Sequence, residues 1–260
     1  MAKHLDALFR EGTLLGDAAE RTDLDTPIPT CPGWRMRDLV QHTGDVHRWA
    51  AAHVAERRTE GIREIESIAG PLPGDEGLLY WYREGHARLV ETLQTAPADV
   101  ECWSFLPAPS PLAFWARRQA HETAIHRADA ESLHSAATPF NAEFAADGLD
   151  ELLLGFFGRP STRPLDFTAS TLHLHADDAD DGDGEWLLRI GPEGVKTQKE
   201  HGEAGCSVVG SASDLYLLMW NRRSADGLDL RGDDQVLREW RNNAKISWGR
   251  PSGTAEGTVN

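Results

Sequence analysis

The chain has 260 residues, of which 40% are hydrophobic and 26% charged, and its formal net charge is −16 at pH 7. This composition excludes a disordered or fibrous chain and predicts one large globular domain or two modest ones. An acidic protein without a block of lysines or arginines repels nucleic acid and anionic membranes, so we expect neither as a partner. An anionic ligand would need a few well-placed arginines to hold it.

Membrane insertion and disulfide bonding are also not expected. No run of about 18 apolar residues occurs, so the sequence predicts no membrane span. The three cysteines, Cys31, Cys102 and Cys206, make an odd number without close pairing. That pattern favours a reducing compartment, and we expect a cytoplasmic protein. Whether it is a monomer or a dimer stays open.

The first half of the chain contains four segments of about 20 residues with apolar residues at helical spacing. They cover residues 2–21, 35–58, 76–95 and 111–134. In the fourth, Ser110 is a candidate N-cap and Pro111 a first helical residue. A fifth helix at about 141–157 could cap the other four. We predict an all-α four-helix bundle over residues 1–157.

The composition changes after GRPSTRP, residues 158–164, which resembles a linker. Beyond it, STLHLHA, EWLLRIG, VKTQKE, AGCSVVGS and LDLRGD have the character of short strands, whereas SDLYLLMWNRR and DQVLREWRNN have helical spacing. We predict a small α+β domain with a mostly antiparallel sheet over residues 165–248. Residues 249–260 are predicted to be a flexible tail.

The stretch HETAIH in the fourth helix resembles the H-E-x-x-H motif of zinc proteases but has one residue too many. His121 and His126 are five residues apart and diverge by roughly 140° on a helix, which excludes that motif. Glu122 and His126 are four apart and share a face with Arg118, one turn earlier, and Asp129, three residues later. A solvated face of ion pairs would explain the same stripe equally well.

The second helix offers a third metal ligand. His42 lies among apolar residues in DLVQHTGDVHRWA, where a lone histidine is more often a core residue. His47 points elsewhere and is expected at the surface or behind a ligand. In a bundle, however, a histidine on one helix and Glu-x-x-x-His on another can project inward together. His42, Glu122 and His126 would then form a set with open positions, typical of catalytic zinc, with Fe(II) or Ni(II) also possible.

Cys31 lies in TPIPTCPGWR, between turn-forming prolines and without a C-x-x-C partner. A thiol nucleophile and a metal ligand are both conceivable at this position. The absence of a partner and the turn-forming surroundings favour a packed loop cysteine.

Two segments, CPGWRMRDLVQHTGDVHRWA and CWSFLPAPSPLAFWARRQAHETAIHRADAE, together resemble the mycothiol-dependent maleylpyruvate isomerase family of actinobacteria. GEWLLRIGPEGV, GSASDLYLLMWNRR and LRGDDQVLREW are similar to the C-terminal domain of that family. The resemblance covers residues 5–245, roughly. One departure is Ala128, where a tryptophan commonly follows the H-R pair.

The resemblance implies a DinB-like four-helix bundle with a metal at its core, followed by a small α+β domain. The ligands of the family fall on His42, Glu122 and His126, the set that the spacing had suggested. An arginine of the C-terminal domain also belongs to the active site of the family. The segment W-x-R-R offers Arg222 and Arg223 for that role.

The function implied is activation of the thiol cofactor mycothiol on a divalent metal, since a zinc-bound thiol is deprotonated near neutral pH. In the isomerase, the thiolate adds to the cis double bond of maleylpyruvate, and rotation and thiol expulsion yield the trans product. Arg118, Arg222 or Arg223 could anchor the carboxylate of a small electrophilic substrate. Asp129 could orient a ligand or bind hydroxyl groups of the cofactor.

Three other functions remain open from the sequence. The chain could transfer the thiol to another electrophile, as an S-transferase does. It could be a bundle metalloenzyme that does not use mycothiol. It could also be a non-catalytic metal or small-ligand binding protein, such as a sensor or carrier.

Overall fold

The structure is a computed structural model that describes residues 1–62, 65–134, 137–159, 167–180, 182, 184–244 and 246. The chain divides into two compact units between Thr138 and Pro139. Most of the predicted linker at 158–164 and the whole predicted tail at 249–260 lie outside the described residues. No helix in the described ranges combines the length and the apolarity that a membrane span requires.

The first unit is helical, as predicted. Its helices are α1 (Ala2–Glu20), α2 (Met36–Ala55), α3 (Glu66–Ala69), α4 (Asp75–Thr95) and α5 (Pro111–Glu131). The four long helices confirm the four predicted segments, and the short α3 was not predicted. Helix α1 packs against α4 and α5, and α2 packs against the same two helices.

Glycines allow two of these helices to approach α4 closely. A Cβ at Gly12 of α1 would lie 2.2 Å from Nε2 of His86, and one at Gly44 of α2 would lie 2.2 Å from the Trp81 ring. His86 and Trp81 both belong to α4. The absence of a side chain at each glycine therefore determines how near the helix axes come.

A buried ion-pair network joins α1 to α5. The Nε of Arg127 donates to Glu11 at 2.7 Å, and its Nη1 donates to Glu131 at 2.7 Å. The side chains of Arg127 and Glu11 are each only 1% exposed. Because removing one partner of a buried pair leaves an uncompensated charge, loss of Arg127 or Glu11 would destabilise the contact between α5 and α1.

The second unit begins with α6 (Ala142–Asp150), which continues into a π-helical turn at Glu151–Phe156. Together they cover the predicted fifth helix at 141–157. Helix α6 packs against α7 (Ala212–Met219) and belongs to the second unit. The second compact unit thus begins at Pro139. The domain limits 1–157 and 165–248 stay predictions.

The second unit also contains a five-stranded sheet in the order β3-β2-β1-β4-β5. Its strands are β1 (Ser170–Ala176), β2 (Glu185–Gly191), β3 (Gly194–Gln198), β4 (Cys206–Gly210) and β5 (Asp229–Gly232). Helices α7 and α8 (Asp234–Asn243) pack against β1 and β4. This element order confirms the α+β class.

The sheet is mixed, so the prediction of a mostly antiparallel sheet was wrong. Its central pairing, β1 with β4, is parallel, and Leu172 faces Cys206 in that register. The pairs β1–β2, β2–β3 and β4–β5 are antiparallel. Alternation of apolar and polar residues is the same in both kinds of pairing, so the sequence pattern could not reveal the parallel neighbour.

Candidate metal centre

A tight turn places two side chains at the entrance to α2. The Trp34 N–H donates to the Cys31 carbonyl at 2.9 Å, and Gly33 between them has φ +87°. Pro32 and Gly33 are the residues that such a turn favours at its two central positions, because proline restricts φ and glycine tolerates a positive φ. The turn fixes the backbone of Cys31 and Trp34 just ahead of the helix that carries His42.

Helix α5 carries the other predicted site residues on one regular face. The Ser110 hydroxyl accepts from the Ala113 N–H at 3.1 Å, and Pro111 is the first helical residue, which confirms the predicted N-terminus. The helix then runs without interruption to Glu131. Regular geometry over that length is what brings Glu122 and His126 onto the same face.

His42, Glu122 and His126 converge in the first unit. The Nε2 atoms of both histidines lie 3.3 Å from the same carboxylate oxygen, Oε1 of Glu122. The two imidazole rings are 5.0 Å apart and nearly perpendicular. One donor atom from each residue lies within 4.8 Å of the others, so the three could hold a single cation.

Arg118 supports the other side of the carboxylate. Its Nη2 donates to Oε2 of Glu122 at 2.6 Å, which leaves Oε1 directed toward the histidines. Arg118 is 2% exposed and His126 is 7% exposed. The alternative of a solvated face of ion pairs is therefore wrong, because this stripe of α5 is buried.

Asp129 lies behind His126 and receives three hydrogen bonds. The Nδ1 of His126 is 2.9 Å from Oδ2, and the Cys31 thiol donates to the same oxygen at 3.2 Å. The Thr30 hydroxyl donates to Oδ1 at 2.6 Å. Asp129 thus orients His126 and is itself oriented by the loop before α2. The sequence suggested Asp129 but gave no role at the site to Thr30, and for Cys31 it favoured loop packing over a thiol nucleophile or a metal ligand.

Trp34 forms one wall of the cluster. Its ring stacks on that of His126 at 5.9 Å and meets the ring of His42 edge-on at 4.9 Å. The sequence did not assign Trp34 to the site, although the residue precedes α2 directly. The Pro-Gly sequence was the available signal, because such a turn fixes the backbone of the residues on either side of it, Trp34 included.

The charges of the cluster follow from its contacts. Burial alone would raise the pKa of Glu122, but Arg118 and the two histidines outweigh it and hold that pKa well below its usual value. Burial would lower the pKa of His126, yet hydrogen bonds to Asp129, Cys31 and Glu122 raise it well above the usual value. For His42, burial prevails and its pKa is lowered. In the absence of a metal, His126 therefore holds a proton more strongly than His42 does.

Two family models match the chain. One, described as the mycothiol maleylpyruvate isomerase N-terminal domain, matches residues 5–131, and one for the C-terminal domain of the same family matches residues 143–239. Both compact units are therefore covered. The chain belongs to the mycothiol maleylpyruvate isomerase family. The resemblance seen in the motifs is confirmed, and the chain is a member of a family of enzymes.

Two solved structures are similar to the chain over 88% of its length and 92% of theirs. One is the mycothiol-dependent maleylpyruvate isomerase, with 14% identity and a TM-score of 0.59. The other is a histidine-to-alanine mutant of that isomerase, with 14% identity and a TM-score of 0.61. At this identity the likeness concerns the fold. No curated protein sequence matches the chain.

Two histidines that the sequence set apart do not join the cluster. His121, which spoils the protease motif, is fully buried, and its ring lies 5.9 Å from that of His4. His47 contacts the Thr123 hydroxyl at 2.8 Å and is also fully buried. The expectation that His47 points away from the ligands agrees with these contacts. Of its two expected places, at the surface or behind a ligand, burial excludes the surface.

The arginine pair expected from the family follows α7. Asn221 adopts φ +61°, and the Arg222 N–H donates to the Leu217 carbonyl at 2.7 Å, a helix ending of the Schellman type. The Nη1 of Arg222 donates to the Trp220 carbonyl at 2.8 Å. Arg223 pairs with Asp214 and also donates to two carbonyl groups of the following turn.

Proposed function

We propose that this chain is a mycothiol-dependent enzyme of the maleylpyruvate isomerase type, acting on a small electrophilic substrate. The proposal includes a divalent metal, most favourably zinc, held by His42, Glu122 and His126 within a DinB-like four-helix bundle. The observation that carries it is the convergence of two Nε2 atoms on one oxygen of an arginine-supported carboxylate. The three cysteines are buried and form no disulfide in the described part of the chain, which agrees with the proposed cytoplasmic location.

The donor set fits a metal ion of this kind. Two ligands of a tetrahedral zinc ion at about 2.0–2.1 Å lie roughly 3.3 Å from each other. The separations of Glu122 Oε1 from both histidine Nε2 atoms are 3.3 Å. Two imidazoles and one carboxylate leave a coordination position for a further ligand, as catalytic zinc sites do.

When bound, the metal would lower the pKa of a coordinated thiol and so supply a thiolate near neutral pH. The protein groups prepare the site for it. Asp129 accepts from Nδ1 of His126 and so directs Nε2 toward the ligand group. Arg118 neutralises the buried carboxylate of Glu122 and holds one of its oxygens. Trp34 covers the imidazoles on one side and limits the access of water.

The contacts of Arg118 favour a role in holding Glu122. Its ion pair with Glu122 is short and buried, which favours holding a metal ligand over anchoring a substrate carboxylate. Arg222 and Arg223 stay the predictions for that anchor. Arg222→Ala and Arg223→Ala should be compared separately, because only one of the two is expected to reduce turnover.

The first test is metal content. His42→Ala and Glu122→Gln should each bind one equivalent of zinc fewer than the wild type. The loss of affinity at this site should exceed the about 10- to 100-fold that is typical when a residue behind a metal ligand is replaced. His134→Ala removes an exposed histidine that contacts Thr22 and serves as the control. Circular dichroism checks that the variants keep their helices. Full retention of zinc by both site variants would contradict the metal centre.

The second test is thiol chemistry. Purified protein with mycothiol and a panel of electrophiles, maleylpyruvate included, should show turnover that needs the thiol and the intact metal site. Mycothiol should also change the visible spectrum of the cobalt-substituted protein, because cobalt reports on its ligands. Zinc binding without turnover and without a spectral change would instead indicate a non-catalytic metal-binding protein.

A further inference from the structure

A second group of histidines lies in the other compact unit, on the sheet. His173 and His175 alternate with the fully buried Leu172 and Leu174 along β1, so the two histidines share one face. Glu185 of β2 stands opposite His175 in the antiparallel register. Residues directly opposite each other in a sheet project to the same side, which brings this carboxylate to the histidines.

The contacts within this group centre on Glu185. The Nε2 of His173 contacts Oε2 of the carboxylate, and Nδ1 of His201 lies 3.3 Å from Oε1. The rings of His173 and His201 are 4.9 Å apart and nearly perpendicular. One donor atom from each of the three residues lies within 4.8 Å of the others.

His201 reaches the group through a close approach of the loop after β3. A Cβ at Gly202 would lie 2.7 Å from a methyl carbon of Leu187, so the loop lies directly on the side chain of that β2 residue. Leu187 is opposite His173 in the register and shares its face. The glycine therefore lets the loop deliver His201 above His173.

The orientation of the His173 and His175 rings follows from the contacts of their nitrogen atoms. The Nδ1 of His173 lies 3.3 Å from the Ser207 hydroxyl, which leaves Nε2 for the group around Glu185. The Nδ1 of His175 is 2.7 Å from Oε1 of Glu185 but makes no hydrogen bond in the described part of the chain, although the atom is buried.

We propose that His173, Glu185 and His201 form a second divalent-metal site, with His175 beside it in contact with Glu185. Two imidazole nitrogens with one carboxylate suit zinc. The separation of 3.3 Å between His201 Nδ1 and Glu185 Oε1 is that of two ligands on one tetrahedral ion. The metal would tie the loop at 199–205 to β1 and β2.

The carboxylate is already in the form that a metal needs. Burial would raise the pKa of Glu185, but its hydrogen bonds to His201 and His173 outweigh that effect and lower it. A metal-free network of three imidazoles around one carboxylate would draw on the same contacts. The two arrangements differ in zinc stoichiometry, which decides between them.

His201→Ala is the main test because His201 is 79% exposed and its loss does not threaten folding. Zinc bound to the full chain after dialysis should number two equivalents in the wild type and one in His201→Ala. His134→Ala, the exposed-histidine control, should keep two. His175→Ala should bind the second zinc about 10- to 100-fold more weakly. A zinc count in His201→Ala equal to that of the wild type would overturn the second site.

The two metal proposals fail separately. A His42→Ala chain should still bind one zinc, and only the further change His201→Ala should remove it. Hydrogen exchange provides a readout at the loop itself: zinc should slow exchange of the backbone amides of residues 199–205 in His42→Ala. The same amides should not respond in the double variant. Exchange that is insensitive to zinc in both chains would contradict the tie between loop and strands.

Discussion

At the scale of single residues, Asp129 decides how the candidate metal centre is organised. Its carboxylate accepts hydrogen bonds from His126 of its own helix and from Thr30 and Cys31 of a loop about a hundred residues earlier in the chain. The sequence placed Asp129 on the right face of α5, because its spacing from His126 is local. It could not show the two loop partners, which depend on how the loop before α2 packs onto α5.

We predict that Asp129→Asn weakens zinc binding at the first site by about 10- to 100-fold, because the neutral amide supports His126 less well as a ligand. The pH profile should change too. His126 has a raised pKa, so zinc must displace its proton, and affinity should rise with pH by up to about tenfold per unit below that pKa. In Asp129→Asn that rise should move to lower pH.

Competition titrations with a zinc-binding dye at several pH values measure both effects. Thr30→Val is the graded control, because it removes one hydrogen bond to Asp129 and keeps the carboxylate. It should weaken zinc binding less than Asp129→Asn does. An unchanged pH profile in Asp129→Asn would show that Asp129 does not govern the protonation of His126.

At the scale of elements, local sequence patterns predicted most of the helices and strands. Which elements lie next to each other was determined by packing. The cap at Ser110 and the period of α5 were visible in the sequence, and both are confirmed. The parallel pairing of β1 with β4 was not visible. Nor was the contact between Gly44 and the Trp81 ring, since a helical glycine has no local signal for its partner.

We predict that Gly44→Ala destabilises the first unit by about 1–3 kcal/mol, because a methyl group there meets the rigid Trp81 ring at 2.2 Å. Since His42 lies two residues earlier on α2, the variant should also bind zinc more weakly at the first site. Denaturant unfolding and zinc titration measure the two effects.

Gly16→Ala in α1 is the matched control. Its methyl group would come within 3.3 Å of Nε of Arg83, a flexible side chain that can move aside. Alanine also favours the helix by up to about 1 kcal/mol over glycine. Gly16→Ala should therefore be neutral or stabilising, and equal destabilisation by both variants would show that the Trp81 contact is not the cause.

At the scale of the whole molecule, the net charge of −16 is the dominant electrostatic feature. Like charges repel across the folded chain, and salt screens that repulsion. Exposed ion pairs such as Arg231 with Asp229 are also screened, but each is worth little. The balance therefore favours the folded state as salt is added.

We predict that raising sodium chloride from about 0.01 M to about 0.15 M, which shortens the Debye length from roughly 30 Å to 8 Å, raises the melting temperature near neutral pH. A gain of about 1 kcal/mol corresponds to about 2–4 °C for a chain of this size. The same series near the sequence pI of about 5.0 is the control, because little net charge remains there. A melting temperature that falls with salt near neutral pH would contradict the prediction.

The sequence alone determined the α+β second half, the four long helices of the first half and the common face of Glu122 and His126. These features follow from local periodicity and capping, and the family was recognisable from two motifs. Only the tertiary structure brought the side chain of His42 to that face, joined Thr30 and Cys31 to Asp129 and assembled His173, Glu185 and His201. Such contacts join segments far apart in the chain, and they are set by close packing, which no local pattern encodes.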